Sequence, residues 1–144
     1  MTDVQTIMFR TAGAMNVRLY RSSKGRLMGK ARGLPLLLLT INGRKTGTPH
    51  TTLVSYIMDD GRYVVCGSGG GSKQDPQWFR NLRRAERAVV EVGSRRMDVT
   101  VAIAGAAEHQ KLWPQLVAGS PGFARYQQKV ERQIPLALLT PVTG

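Results

Sequence analysis

The sequence predicts a β-dominated α+β fold, an antiparallel barrel or highly curved sheet with helices inserted between its hairpins. Six short runs are apolar or alternate apolar with polar residues, brief turn signals separate consecutive runs, and helix-prone stretches lie between hairpins. Connections that short pair strands antiparallel, because a parallel crossover needs a dozen residues or more. With 144 residues, 42% of them hydrophobic and 21% charged, the chain has material for one core and is too short for two.

Residues 1–33 form a basic helical segment ahead of that core, which occupies residues 34–144 of a single-domain chain. Seven cations, Arg10, Arg18, Arg21, Lys24, Arg26, Lys30 and Arg32, face Asp3 alone, and this is half of a formal net charge of +12. Ile7, Met8, Met15, Val17, Leu19, Leu27 and Met28 are interspersed, as in one or two basic amphipathic helices. Such a segment can pack on a sheet edge, rest on an anionic membrane surface or cover a substrate.

From Pro35 the pattern changes to Leu36, Leu37, Leu38, Leu39, Thr40 and Ile41, a buried strand that stops at the turn-prone Asn42-Gly43. A second strand covers Thr51 to Met58, Asp59-Asp60-Gly61 turns the chain, and Tyr63 to Cys66 forms a third. Asp75 is placed to cap a helix running from Pro76 to about Ala85. Ala88 to Val92 and Arg96 to Ile103 form a hairpin around Gly93-Ser94, with Met97, Val99, Val101 and Ile103 on its apolar face. Residues 106–133 read as two short helices, interrupted by Pro114 and by Ser120-Pro121-Gly122, and Ile134 to Leu139 is the last strand.

The excess of 21 Lys and Arg over 9 Asp and Glu implies an anionic partner: nucleic acid, an acidic membrane surface or a polyanionic small molecule. One cysteine, Cys66, excludes an intramolecular disulfide, and with His50 and His109 it makes no metal-ligand cluster, so no metal is expected and a reducing, cytoplasmic setting fits. The start of the chain lacks the pattern of a signal peptide, and Leu34 to Leu39 is too short to cross a bilayer.

Gly43-Arg44-Lys45-Thr46-Gly47 sets two cations and a hydroxyl in a glycine-flanked turn, a chemistry suited to phosphate: bidentate Arg, point-charge Lys and approachable backbone N–H groups. An ordinary solvated hairpin turn has the same signature. Arg44 intervenes where a Walker A motif requires Lys, and a dinucleotide frame from Gly67 would place Ser72 at its third glycine, so neither motif is present. Cys66-Gly67-Ser68-Gly69 offers small residues against which a flat ring could lie, with the Ser68 hydroxyl to bond it; a flexible surface loop is the alternative. Trp78 and Phe79 near Arg80, Arg83, Arg84 and Arg87 would suit a nucleic-acid binder, but no recognised nucleic-acid motif accompanies them and none is expected as partner.

The order and spacing of Leu39-Thr40-Ile41-Asn42-Gly43-Arg44-Lys45-Thr46-Gly47, Asp59-Asp60-Gly61-Arg62, Asp75-Pro76-Gln77-Trp78-Phe79-Arg80-Asn81-Leu82, Trp113-Pro114-Gln115-Leu116, Tyr126-Gln127 and Ile134-Pro135 resemble the deazaflavin (coenzyme F420)-dependent nitroreductase and quinone reductase family, over about residues 34–141. The resemblance implies a split β-barrel that takes a hydride from reduced F420 to a quinone, nitroaromatic or α,β-unsaturated carbonyl such as a lactone. It carries the coenzyme phosphate to Arg44, Lys45, Thr46 and Gly47, with His50 where relatives often have arginine, and the ring to Cys66, Gly67, Ser68 and Gly69. Gln77, Trp78 and Asn81 surround the same groove, the oligoglutamate tail runs in a basic channel, and Ser68 and Tyr126 are the catalytic candidates that polarise the acceptor. Phe123 stands where relatives place a tyrosine. More distant split barrels hold flavin mononucleotide or haem instead, which is the alternative reading.

Overall fold

The computed structural model describes residues 16–27, 29–31 and 33–142. The elements are α1 over residues 16–22, β1 (Lys30–Ala31), β2 (Leu34–Asn42), β3 (Pro49–Asp59), β4 (Arg62–Cys66), α2 (Gln77–Arg83), β5 (Arg87–Val92), β6 (Arg95–Ile103), α3 (Ala106–Gly119), α4 (Gly122–Gln128) and β7 (Leu136–Pro141). Every strand pairing is antiparallel, in the order β1-β2-β3-β4-β7-β6-β5, and β5 returns to β2 through Leu38↔Glu91, Leu39↔Val90 and Thr40↔Val89. That last pairing closes six strands into a split β-barrel, with β1 as a two-residue appendage on β2.

The barrel explains why β2 is apolar without alternation. Leu37, Leu39 and Ile41 point inward with Val54, Val65, Val90, Val99 and Leu139, while Leu36 and Leu38 on the opposite face are covered by Tyr20 of α1. On β7, Ala137 and Leu139 fill the barrel, and Leu136 and Leu138 pack under Leu112 and Leu116 of α3 and Phe123 of α4. Phe79 and Leu82 of α2 belong to the barrel core, so this short helix is held by what it buries. The Tyr20 hydroxyl fastens α1 down, donating toward Leu36 O at 3.2 Å and accepting from Gly93 N–H at 2.8 Å.

The turn chemistry is as expected at Asp60-Gly61, where both residues take left-handed backbone angles (φ 51° and 78°) in a two-residue hairpin loop. Four local expectations are corrected. Pro114 does not interrupt a helix: α3 runs through it from Ala106 to Gly119, because Pro114 and Gln110, whose carbonyl loses its partner, both face solvent while Leu112 and Leu116 anchor the inner face. Asp75 does not cap α2, since the cap residue is Pro76 and the Asp75 carboxylate is held instead by Arg83 and Arg132. The last strand begins at Leu136, because Ile134 and Pro135 bond outward to Gln127 and Gly67 before the ladder starts. A seventh strand, β1, adds to the six expected. Of the basic segment, residues 1–15, Met28 and Arg32 lie outside the described residues.

Candidate active site

The glycine-flanked turn joins β2 to β3 and is closed by Gly43 N–H to Thr48 O and Gly47 N–H to Gly43 O, both at 2.8 Å. Thr46 contributes internally, its hydroxyl accepting from Thr48 N–H at 3.2 Å. Arg44 is directed by α2: its Nη1 donates to Gln77 Oε1 at 2.9 Å and to Asn81 Oδ1 at 2.8 Å, and its backbone N–H donates to the same Asn81 oxygen at 3.1 Å. Asn81 is 8% exposed, so this fixture is part of the fold and not a surface encounter. Lys45, Thr46, Gly47 and His50 are exposed beside it, with His50 entering β3 opposite Ile41. Among the described residues neither Arg44 nor Lys45 has a carboxylate partner, whereas Arg21, Arg62, Arg83 and Arg132 all do. The turn therefore carries uncompensated positive charge with its direction set.

A cleft of about 310 Å³ opens nearby, lined by Leu53, Val54 and Ser55 of β3, Cys66, Ser68, Gly69 and Gly70 after β4, Trp78 of α2, and Ser120, Phe123 and Tyr126. Its floor is a glycine loop with two requirements. A Cβ at Gly67 would stand 2.7 Å from the Phe79 ring, so only glycine lets the chain pass this close to α2. At Gly70, in the left-handed region at φ 67°, a Cβ would meet nothing within 4 Å, leaving the wall of the cleft open.

Arg132 holds that loop from below. Its guanidinium donates to the carbonyls of Gly67 at 3.2 Å, Ser68 at 3.1 Å and Ser72 at 3.0 Å, and pairs with Asp75 at 2.7 Å. Burial pushes the Cys66 thiol up to about 12, with hydrogen bonds from Ser68 opposing the shift, so at neutral pH Cys66 is a neutral thiol and no nucleophile. Tyr126 meets Phe123 edge-on at 5.9 Å, and the Lys129 ammonium lies 6.0 Å from its ring centre.

The residues singled out from sequence thus fall into two groups. Cys66, Ser68, Gly69, Trp78 and Tyr126 line one cleft, whereas Arg44, Lys45, Thr46, Gly47, His50, Gln77 and Asn81 gather at the turn. Gly67 underlies the loop without lining the cleft. Gln77 and Asn81 are occupied in positioning Arg44. Helix α2 joins the groups, Trp78 facing the cleft between two residues that hold the turn. Sequence reasoning did not find Arg132 or the β3 wall. Among the described residues no group of His, Cys, Asp or Glu side chains is placed to hold a metal ion, and no helix is long and apolar enough to cross a membrane.

Residues 12–141 match the family model described as F420H(2)-dependent quinone reductase. The chain belongs to the F420H(2)-dependent quinone reductase family. It is an F420-dependent reductase, and coenzyme F420 is its cofactor. The F420H(2)-dependent quinone reductase Rv1261c of Mycobacterium tuberculosis (strain ATCC 25618 / H37Rv) is 30% identical over 146 residues, covering 96% of this chain and 98% of the relative. Among solved structures, the F420-H2 dependent reductase FDR-A superposes with a TM-score of 0.67 at 27% identity, covering 73% of this chain and 93% of that one. HutZ, the heme storage protein from Vibrio cholerae, superposes at 0.57 with 15% identity, over 78% and 84% of the two chains, and shares the fold alone.

The residues present fit F420. A cation pair without carboxylate partners among the described residues suits a phosphodiester, and a cleft of about 310 Å³ walled by Trp78 and open at Gly70 suits a flat tricyclic ring.

Proposed function

We propose that the protein passes a hydride from reduced F420 to a quinone in the cleft bounded by β3, the 66–70 loop, α2 and α4, and that nitroaromatics and α,β-unsaturated carbonyls such as lactones are further acceptors. The observation that carries this reading is the pair of bonds joining Arg44 to Gln77 and Asn81, because the helix that aims this cation also supplies Trp78 to the cleft. One packed unit thereby offers an anion site and a ring site side by side.

Reduced F420 supplies the hydride when bound. The chain supplies position and polarity: Arg44 and Lys45 hold the phosphate, Thr46, Gly47 and His50 border it, and Trp78 with Cys66, Ser68 and Gly69 holds the ring flat, while Gly67 lets the loop pack against Phe79. Ser68 and Tyr126 line the cleft and polarise the acceptor oxygen, Ser68 by turning its hydroxyl away from the Cys66 thiol. Arg80 and Arg84 extend from the turn on the face of α2 that carries Gln77 and Asn81, at spacings of three and four residues, and neither has a carboxylate partner among the described residues; this supports them as the path of the anionic tail. Anaerobic turnover of reduced F420 with a quinone, a nitroimidazole and a lactone tests the acceptor range. Phe123→Tyr is expected to raise kcat/KM for the nitro acceptor relative to the lactone, and an unchanged ratio places the determinant elsewhere.

A second reading concerns the membrane. Leu19 and Leu27 are exposed beside the exposed Arg18, Lys24 and Arg26, a combination suited to reversible contact with anionic lipid. Sedimentation with and without acidic vesicles tests it, and lipid-independent behaviour removes it.

A further inference from the structure

We propose that Ser120 binds the acceptor, its hydroxyl donating a hydrogen bond to the carbonyl oxygen of a quinone-type molecule seated in the cleft. This rests on the hydride-transfer reading above and adds the group that recognises the acceptor. Ser120 is 4% exposed and lines the cleft. Its backbone is already committed, the N–H donating to Leu116 O at 2.9 Å where α3 ends and the carbonyl accepting from Phe123 N–H at 3.1 Å where α4 opens. The hydroxyl is the polar group that remains, and among the described residues it has no partner. A buried hydroxyl without a partner is unfavourable, so a partner from within the cleft would complete it.

Three serines line the cleft, and they differ in whether the hydroxyl is already engaged. Ser68 is engaged with the Cys66 thiol, and Ser55 on β3 is half-buried and within reach of water. Ser120 is the one that is both buried and unpartnered among the described residues. Its place is fixed because α3 ends at Gly119, Pro121 follows, and α4 begins at Gly122.

Phe123 stands where the resemblance implies a tyrosine, so its ring brings no hydroxyl. In the structure Phe123 packs edge-on against Tyr126, and Ser120 brings a hydroxyl to the same cleft three residues earlier. In the reaction one carbonyl oxygen of the quinone gains the hydride with its two electrons, negative charge gathers on the other carbonyl oxygen, and that oxygen takes a proton from water to give the hydroquinone, while the coenzyme, oxidised by two electrons, returns a proton to solvent. A donor at that oxygen gains strength as the charge develops, so its contribution falls on the rate as well as on binding.

The test uses the whole protein with Ser120→Ala and Ser120→Thr, reading F420 affinity by fluorescence titration, kcat/KM for a 1,4-naphthoquinone, and thermal stability. Ser120→Ala is expected to lower kcat/KM about tenfold with the F420 dissociation constant within about twofold of wild type, and Ser120→Thr, which keeps the hydroxyl, to recover most of the loss. Unchanged kcat/KM in a folded Ser120→Ala protein overturns the proposal, and so does a parallel loss of F420 affinity, which would give the hydroxyl to the coenzyme. A wild-type protein that binds F420 but leaves the naphthoquinone unreduced refutes the acceptor reading itself, a different failure visible before any variant is made.

Discussion

Asn81 Oδ1 accepts two hydrogen bonds from Arg44, one from the backbone N–H at 3.1 Å and one from Nη1 at 2.8 Å. A buried amide on a helix thereby fixes both the path and the aim of a cation on a strand-connecting turn. Asn81→Ala leaves these donors without their acceptor, and is expected to cost about 1–3 kcal/mol in denaturant unfolding and to weaken F420 binding. Asn81→Asp keeps the acceptor but adds negative charge at the turn, so it should weaken coenzyme binding with a smaller loss of stability. Equal F420 affinity in Asn81→Asp and wild type would separate this residue from the anion site.

Arg132 is expected to matter as much as any residue in the cleft, although it does not line it. Arg132→Ala removes the donor to Gly67, Ser68 and Ser72 carbonyls and leaves Asp75 with Arg83 alone. The expected loss is about 3 kcal/mol, with weaker F420 binding as the loop relaxes, and Arg132→Lys should recover little because an ammonium cannot span these acceptors. Full recovery by lysine in urea unfolding and F420 titration would contradict this.

The proposed tail path over Arg80 and Arg84 can be tested apart from the ring site. Replacing both with Ala should weaken binding of F420 with its glutamyl tail several-fold, less so at high salt, and leave a tail-less deazaflavin unaffected. Equal losses for both ligands would assign these arginines to the phosphate or to folding.

The Arg21 side chain holds Glu91 below the usual carboxylate range by hydrogen bonding, assisted by its charge and that of Arg96. A carboxylate favoured in the folded state stabilises the protein above the unfolded pKa of about 4.3, and that contribution is lost as pH falls through the lower folded value. Arg21→Ala should therefore lower Tm modestly at pH 7, since half of the Arg21 side chain is exposed, and the difference from wild type should vanish toward pH 3. A difference that persists undiminished into acid would assign it to packing of α1 instead.

What was legible in the sequence was what local chemistry encodes. Asp60-Gly61 specified its hairpin, the alternation from Met97 to Ile103 specified a strand with one wet face, and the unbroken leucines of β2 read as a strand covered on both sides. The cation-rich turn and the Cys66–Gly69 stretch stand out by paired charges and small residues, yet an ordinary turn and a surface loop share those signatures, and only the resemblance assigns them to phosphate and ring. Arg132 was not legible, because it meets Ser72 from sixty residues away and no spacing announces that. The Asp75 carboxylate stood in a capping position, yet Arg83 and Arg132 compete for it more strongly than backbone N–H groups. Pro114 was read as a breaker from its chemistry alone, whereas the buried leucines on either side keep the helix going.

The most direct measurement is an equilibrium titration of F420 into the Arg44→Ala/Lys45→Ala protein beside wild type, with folding of both checked by circular dichroism. The turn as phosphate site predicts a dissociation constant raised at least about tenfold, about 1.4 kcal/mol, and a shallower dependence on salt than wild type. An unchanged dissociation constant in the folded double variant would contradict the account and move the coenzyme's anion site away from this turn.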